Sequence, residues 1–160
     1  MAIVGALRVP VISLVALRDD SIMSVAGKYD DSDWQEETRR DLKHAAGLLD
    51  SLATSVSGSL SREQTSELWR SYLLVEKSVA FIKIELDEEN PGRFISQKPY
   101  TVPDERQAIG FAQRHLKLAI DSFNAGSLGA SLKELREARN YLRVLLKRVR
   151  RRSAKAQKAG

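Results

Sequence analysis

Mostly apolar residues recur at alternating intervals of four and three along four separate segments of this chain. The first two runs are Thr38, Leu42, Ala45, Leu49, Leu52 and Val56, and then Leu68, Tyr72, Val75, Val79, Ile82 and Leu86. The last two runs are Ile109, Ala112, Leu116, Ala119 and Phe123, and then Ser131, Leu135, Ala138, Leu142, Leu145 and Val149. Because this spacing places each run on one face of an α-helix, it predicts four amphipathic helices.

Capping and turn residues indicate where these helices begin. Ser32 has Gln35 three residues later, and Ser61 has Gln64 at the same spacing; both pairs are typical of a capping box at a helix start. The third helix is predicted to begin near Pro103, and the fourth follows it after a short turn. Because short turns also join the first two helices, the predicted fold class is all-α, a four-helix bundle made of two antiparallel helical hairpins.

The segments around the helices complete the predicted domain organisation. Residues 1–31 are predicted to be an N-terminal extension, residues 32–152 the bundle, and residues 153–160 a frayed basic tail. The extension begins with an apolar stretch that we interpret as a strap over the helices; a native start at Met23 and a targeting segment are the alternatives. Residues 91–103 contain prolines and apolar residues, which predict an ordered loop across one end of the bundle.

Composition excludes several kinds of chemistry. The chain has no cysteine, so a thiolate nucleophile, a cysteine zinc site and an iron–sulfur cluster are excluded. It has two histidines, interpreted as surface residues, and no Glu-x-x-His motif, glycine-rich phosphate loop or G-x-S-x-G elbow. We therefore predict no catalytic residue, metal or cofactor. The charged residues within the apolar N-terminal stretch argue against a membrane span, and a cytoplasmic location is expected. Arginine outnumbers lysine, 16 to 10, which is compatible with a GC-rich or thermophilic source.

Charge is distributed unevenly along the chain. Residues 133–160 carry eleven cations and two anions, a net charge of +9, so the remaining residues must carry −4 to give the total of +5. Five cations at spacings of 3, 4, 4 and 3 predict a basic stripe on the fourth helix: Arg136, Arg139, Arg143, Lys147 and Arg150. Seven cations of this region are the candidate binding residues for nucleic acid or an acidic partner: Arg139, Arg143, Lys147, Arg148, Arg150, Arg151 and Arg152.

These cations favour a non-catalytic binding or scaffold protein that presents the basic helix to DNA or RNA. Because no aromatic residue follows Tyr141, base stacking on single strands is not predicted. A protein-interaction module with an acidic partner is the alternative, and an acidic membrane surface is a further possible partner of the basic arm. A solubilising C-terminus is the interpretation without a binding function.

A third hypothesis comes from the first helix. Arg39 is followed, after four residues, by His44, and this arrangement resembles the motif of HEPN-type helical RNases. The sequence departs from the family in two ways: Arg40 stands where those RNases usually have a small polar residue, and the pair lies on the first long helix. The resemblance implies RNA cleavage that depends on Arg39 and His44.

The same periodicity predicts the core and a contact surface. The predicted core consists of Leu49, Leu52, Leu68, Tyr72, Val75, Val79, Ile82, Leu116, Ala119, Leu135, Leu142 and Leu145. The second helix has a wide apolar face that includes Trp69, Leu73 and Phe81, so it is expected to be central in the bundle. One small bundle is not expected to cover this face and the apolar N-terminus together, which predicts self-association into a homo-oligomer.

Overall fold

The computed structural model describes residues 31–86 and 104–158, which form four α-helices. The helices are α1 (Asp31–Ser55), α2 (Arg62–Glu85), α3 (Glu105–Asn124) and α4 (Leu128–Lys158). No strand occurs in these two ranges, and the helices pack along their lengths, which confirms the prediction of an all-α bundle. The N-terminal strap, the start at Met23 and the order of the loop at 91–103 lie outside the described residues.

Polar side chains and one glycine fix the helix ends, as the sequence predicted in part. The Ser61 hydroxyl accepts the N–H of Gln64 at 3.2 Å, and the Gln64 side chain accepts the N–H of Ser61 at 2.9 Å, so the capping box is present. At the start of α3, the Asp104 carboxylate accepts the N–H of Gln107 at 2.7 Å. Gly126 follows α3 with a φ of +74°, a left-handed conformation that glycine adopts without a steric cost.

Each helix contacts two others, and the order around the bundle is α1, α2, α4, α3. The described helices therefore form a ring in which α1 lies diagonally opposite α4, and α2 lies diagonally opposite α3. Two long grooves result on opposite sides of the bundle, one between α2 and α4 and the other between α1 and α3. These two grooves are compared below.

Side-chain contacts fix the direction of each helix. Trp34 packs edge-on against Phe123, with ring centroids 6.1 Å apart, whereas near the other end of the bundle the N–H of Leu60 donates to Glu105 Oε2 at 3.1 Å. Helices α1 and α3 are therefore antiparallel. Since α2 also runs antiparallel to α1, helices α2 and α3 point in the same direction.

This topology bears on the connection between the hairpins. Leu86 and Asp104, the described residues that border it, lie at opposite ends of the bundle, and the connection that was predicted to cross one end lies outside the described residues. The 17 residues between them could extend to roughly 60 Å, about twice the length of α3. The number of residues in the connection therefore does not tell whether α2 ends and α3 begins at the same end of the bundle or at opposite ends.

The core matches the predicted runs closely in α1 and α3, where every predicted position is buried. Eleven of the twelve predicted core residues are buried, and the exception is Tyr72, which lies at the edge of the core. In α2 the buried positions include Ser71 and Ser78, two small residues that face the neighbouring helices. Leu86 is exposed.

Helix α2 is also not central, because Trp69 and Leu73 are about half exposed on its outer side and Ile84 is 75% exposed. A ring of four helices leaves every helix with one solvent-facing side, and on α2 this side is apolar. Helix α4 differs from prediction as well: it continues through Lys158, where a frayed tail had been predicted from Ser153.

Candidate nucleic-acid interface

The groove between α2 and α4 combines aromatic, aliphatic and basic side chains. It has a volume of about 520 Å³. Helix α2 contributes Thr65, Trp69 and Tyr72, and α4 contributes Arg143, Leu146, Lys147, Val149, Arg150 and Ser153. None of the described residues that line this groove is a carboxylate, so the charge they contribute is entirely positive.

Two aromatic rings form the α2 side of the groove. The rings of Trp69 and Tyr72 are stacked, with centroids 5.5 Å apart and planes 23° from parallel. The Tyr72 hydroxyl donates to Glu76 Oε1 at 2.7 Å, and Glu76 Oε2 in turn accepts from Arg139 Nη1 at 3.4 Å. Partial burial, followed by the contact with Glu76, raises the pKa of Tyr72, so this hydroxyl stays protonated and keeps its hydrogen bond. The chain of contacts holds the Tyr72 ring in place behind Trp69.

Three cations form the α4 side. Arg143, Lys147 and Arg150 lie within about 60° of one another around the helix axis and span about 10 Å along it. All three are exposed, and no carboxylate of residues 31–86 or 104–158 pairs with them. They therefore keep their full charge for an external anion.

The remaining four predicted site residues do not belong to this cluster. Arg139 pairs with Glu76, and its side chain is only 15% exposed. Arg148, Arg151 and Arg152 lie about 140°, 80° and 180° around the helix from the position of Arg143. The seven candidate cations therefore do not share one face of α4, because consecutive residues of a helix point in different directions, and three of the seven line the groove.

Arg152 has a structural contact instead. Its guanidinium forms an ion pair with Glu105 Oε1 on α3, and the Glu105 side chain is only 4% exposed. The position of Arg152 in the sequence, beyond the last residue of the seam, Val149, gives no sign of this contact. The structure places it against a buried carboxylate.

The groove between α1 and α3, on the opposite side of the bundle, has a different chemistry. It has a volume of about 360 Å³ and is lined by Ala46, Asp50, Gln113, Arg114, Leu116, Lys117 and Ile120. Here a carboxylate is present, and it accepts a hydrogen bond from Gln113 at 2.7 Å. Its described lining includes no aromatic residue, so it offers an internal comparison for the groove between α2 and α4.

The arginine and histidine of the RNase hypothesis are not brought together. Arg39 Nε donates to Asn124 Oδ1 at 3.2 Å, and its guanidinium lies 5.7 Å from the centroid of the Phe123 ring. His44 is exposed, and five residues of helix place it about 140° around α1 from Arg39. The structure therefore shows a packing contact for Arg39 and no shared site with His44.

The second histidine differs from the surface residue that was predicted. His115 Nδ1 lies 2.7 Å from Glu134 Oε2, and its side chain is 24% exposed. Its ring stacks on Tyr141, with centroids 5.7 Å apart. These contacts join α3 to α4 and leave His115 in a structural position.

No protein-family model matches this chain, and comparison with curated proteins and with solved structures gives no significant match. None of the helices within residues 31–86 and 104–158 has the length and apolar composition needed to cross a membrane. The described residues therefore form a helical bundle with a basic, aromatic groove between α2 and α4.

Sequence reasoning missed the aromatic half of this groove. Trp69 and Arg143 are 74 positions apart in the chain. They line the same groove only because α2 packs against α4. One signal was present: Trp69 lies outside the buried run of α2, so a large aromatic residue was left on a solvent-facing side. No aromatic residue follows Tyr141 in α4, but Trp69 of the neighbouring helix α2 lines the same groove as the cations of α4.

Proposed function

We propose that this protein is a non-catalytic binding protein whose groove between α2 and α4 binds the phosphate backbone of nucleic acid. The observation that carries the proposal is the cluster of Arg143, Lys147 and Arg150, three exposed cations on one helix face, in a groove to which residues 31–86 and 104–158 contribute no carboxylate. Such a cluster contacts successive phosphates without reading bases, so sequence preference is expected to be slight.

An acidic membrane surface fits the C-terminal end of α4, beyond Val149, less well. A helix that lies in a membrane interface needs large apolar side chains beside its cations. Between Val149 and Lys158 the sequence of α4 contains cations, alanines, serine and glutamine, and no large apolar residue. The basic end of α4 therefore provides charge without an inserting face.

Three cations set the expected strength of binding. Each neutralised phosphate contributes about −0.7 to the log–log salt slope on single strands and about −0.9 on duplex DNA, so the slope should be about −2 to −3. Affinity should then fall roughly 20- to 40-fold between 50 mM and 200 mM salt. Arg139 and Arg152, two of the seven candidate cations, are not counted because they pair with Glu76 and Glu105.

A mobility-shift assay with random DNA and RNA at about 50 mM salt tests the proposal, because electrostatic binding is strong there. The intact protein should shift both nucleic acids, and the triple variant R143A/K147A/R150A should not. If the intact protein shifts neither, the proposal is wrong. Binding of an acidic polypeptide such as polyglutamate in place of nucleic acid would favour the acidic-partner hypothesis.

A second part of the proposal is self-association through the outer side of α2. Leu73 is 49% exposed and Ile84 75% exposed, and these two residues lie about 16 Å apart along the same side of the helix. Exposed apolar residues that share one side of a helix commonly cover each other in a symmetric dimer. The proposed contact lies toward the C-terminal half of α2, from Leu73 to Ile84. Trp69 lies one turn before Leu73 and about 40° around α2, at the border with the groove, so this contact leaves Trp69 and the cations of α4 open.

A further inference from the structure

Trp69 occupies an unusual position for a large aromatic residue in a bundle of this size. It is 48% exposed, although the adjacent seam position, Leu68, is completely buried. Full burial of such a ring would contribute favourably to folding, so its exposure leaves a large apolar surface in contact with water. The ring lines the same groove as Arg143, Lys147 and Arg150.

The stack with Tyr72 prepares Trp69 for a planar ligand. Tyr72 packs nearly parallel to the Trp69 ring at 5.5 Å, and the contact of its hydroxyl with Glu76 fixes the Tyr72 ring in turn. A supported ring loses less side-chain freedom when a further flat group stacks on it, so the cost of binding is reduced.

Basic and aromatic groups within one groove match the two parts of a nucleotide. Phosphates require cations, and unpaired bases stack on aromatic rings, each base contributing to affinity whatever its identity. In a duplex the bases are already stacked on each other and are not available to Trp69. The groove therefore distinguishes single strands from duplexes.

From this juxtaposition we infer that the groove binds single-stranded nucleic acid, with a base stacked on Trp69 and the flanking phosphates held by Arg143, Lys147 and Arg150. The inference rests on the proposed function and names its substrate class. It also corrects the expectation that base stacking plays no role, which considered only the sequence of α4. Acidic peptides carry charge for the cations but need no supported aromatic stack, so the observations favour a nucleic-acid strand.

Tryptophan fluorescence provides a direct test, because the chain has only two tryptophans. Trp34 packs against Phe123, far from the groove, and the variant W34F leaves Trp69 as the sole emitter. The probes are an oligothymidylate and an oligouridylate of about 16 nucleotides, the upper range of a single-strand site, a duplex of the same length, and an abasic strand with the same phosphates. The first two probes distinguish DNA from RNA as the source of the strand.

The oligothymidylate or the oligouridylate should quench Trp69, whereas the duplex and the abasic strand should bind more weakly without quenching. Replacement W69L should lower affinity for the quenching strand about 5- to 100-fold and leave affinity for the abasic strand unchanged. W69Y, which keeps a ring, should retain most of the affinity. L118A removes an apolar residue of similar exposure (46%) from α3 and should change nothing.

The outcomes separate this inference from the proposed function. If the abasic strand binds as tightly as both oligonucleotides, or W69L binds as tightly as the intact protein, base stacking is refuted while phosphate binding stands. If no nucleic acid binds, or polyglutamate alone binds, both the inference and the proposed function are wrong. Circular dichroism melts of W69L and W69Y establish that each variant is folded.

Discussion

Replacement of Arg152 by alanine should destabilise the bundle, although the residue lies near the C-terminus and its own side chain is 57% exposed. Its partner, Glu105, is 4% exposed and begins α3. The other oxygen of Glu105 accepts the N–H of Leu60 at 3.1 Å. In the variant R152A that carboxylate remains buried with a backbone N–H as its remaining described partner and without a compensating positive charge.

The exposure of the two partners sets the magnitude. Breaking a fully buried ion pair by removing one partner costs about 3–5 kcal/mol, whereas an exposed pair contributes about 0–1 kcal/mol. Because Glu105 is buried and Arg152 is half exposed, water screens part of the charge, and we expect a loss of about 1–3 kcal/mol. For a chain of this size that corresponds to a decrease in Tm of about 3 to 10 °C.

Thermal and urea melts of R152A and of the matched variant R151A measure this loss. Arg151 is adjacent in sequence and fully exposed, so its removal should change Tm by less than about 2 °C. In an E105Q background, where the buried group is neutral, R152A should cost much less, and the double-mutant cycle reports the coupling. Equal melts for R151A and R152A would refute the ion pair as a stabilising contact.

Three further predictions concern the core, the pH dependence and the oligomeric state. Val79 is 3% exposed, so V79D should cost several kcal/mol through an unpaired buried charge, and an unchanged melt would show that α2 is packed differently. The Lys77 ammonium, 2.6 Å from Glu37, lowers the pKa of that carboxyl from 4.5, so the pair stabilises the fold above about pH 4.5. This stability is lost as pH falls through the lowered pKa; E37Q should flatten the acid limb of the stability curve, and a limb identical to that of the intact protein would contradict this. Light scattering at tens of micromolar should give more than the monomer mass of 17.9 kDa, and L73D/I84D should restore the monomer; a monomeric intact protein would contradict self-association.

Periodicity predicted the helices and most of the core because burial within a bundle depends on local spacing. Periodicity fails at two kinds of position. At one, a polar group on the side chain needs a partner at the edge of the core; at the other, packing against a neighbouring helix determines whether the residue is buried. Tyr72 shares the seam spacing of α2, but its hydroxyl requires a partner, and it lies at the edge, where Glu76 accepts its hydrogen bond. The small residues Ser71 and Ser78 occupy buried positions that a search for large apolar residues leaves out.

The candidate site was predicted in part for a related reason. Spacing along α4 identified the stripe that contains Arg143, Lys147 and Arg150, since residues three and four apart share a helix face. It did not reveal that Arg152 faces a carboxylate on α3 or that Trp69 of α2 lines the same groove. Both facts depend on which helices are neighbours, and the order α1, α2, α4, α3 follows from packing between residues distant in the chain.

Salt dependence of binding for two matched triple variants tests the central claim most directly. R143A/K147A/R150A removes the cations of the groove between α2 and α4, whereas R106A/R114A/K117A removes the same charge from exposed positions on α3. With a single-stranded oligonucleotide, the intact protein and the α3 variant should both give a log–log slope of about −2, and the groove variant a slope near zero. Equal losses of slope and affinity in the two variants would mean that only net charge matters, and the claim of a defined binding groove would be contradicted.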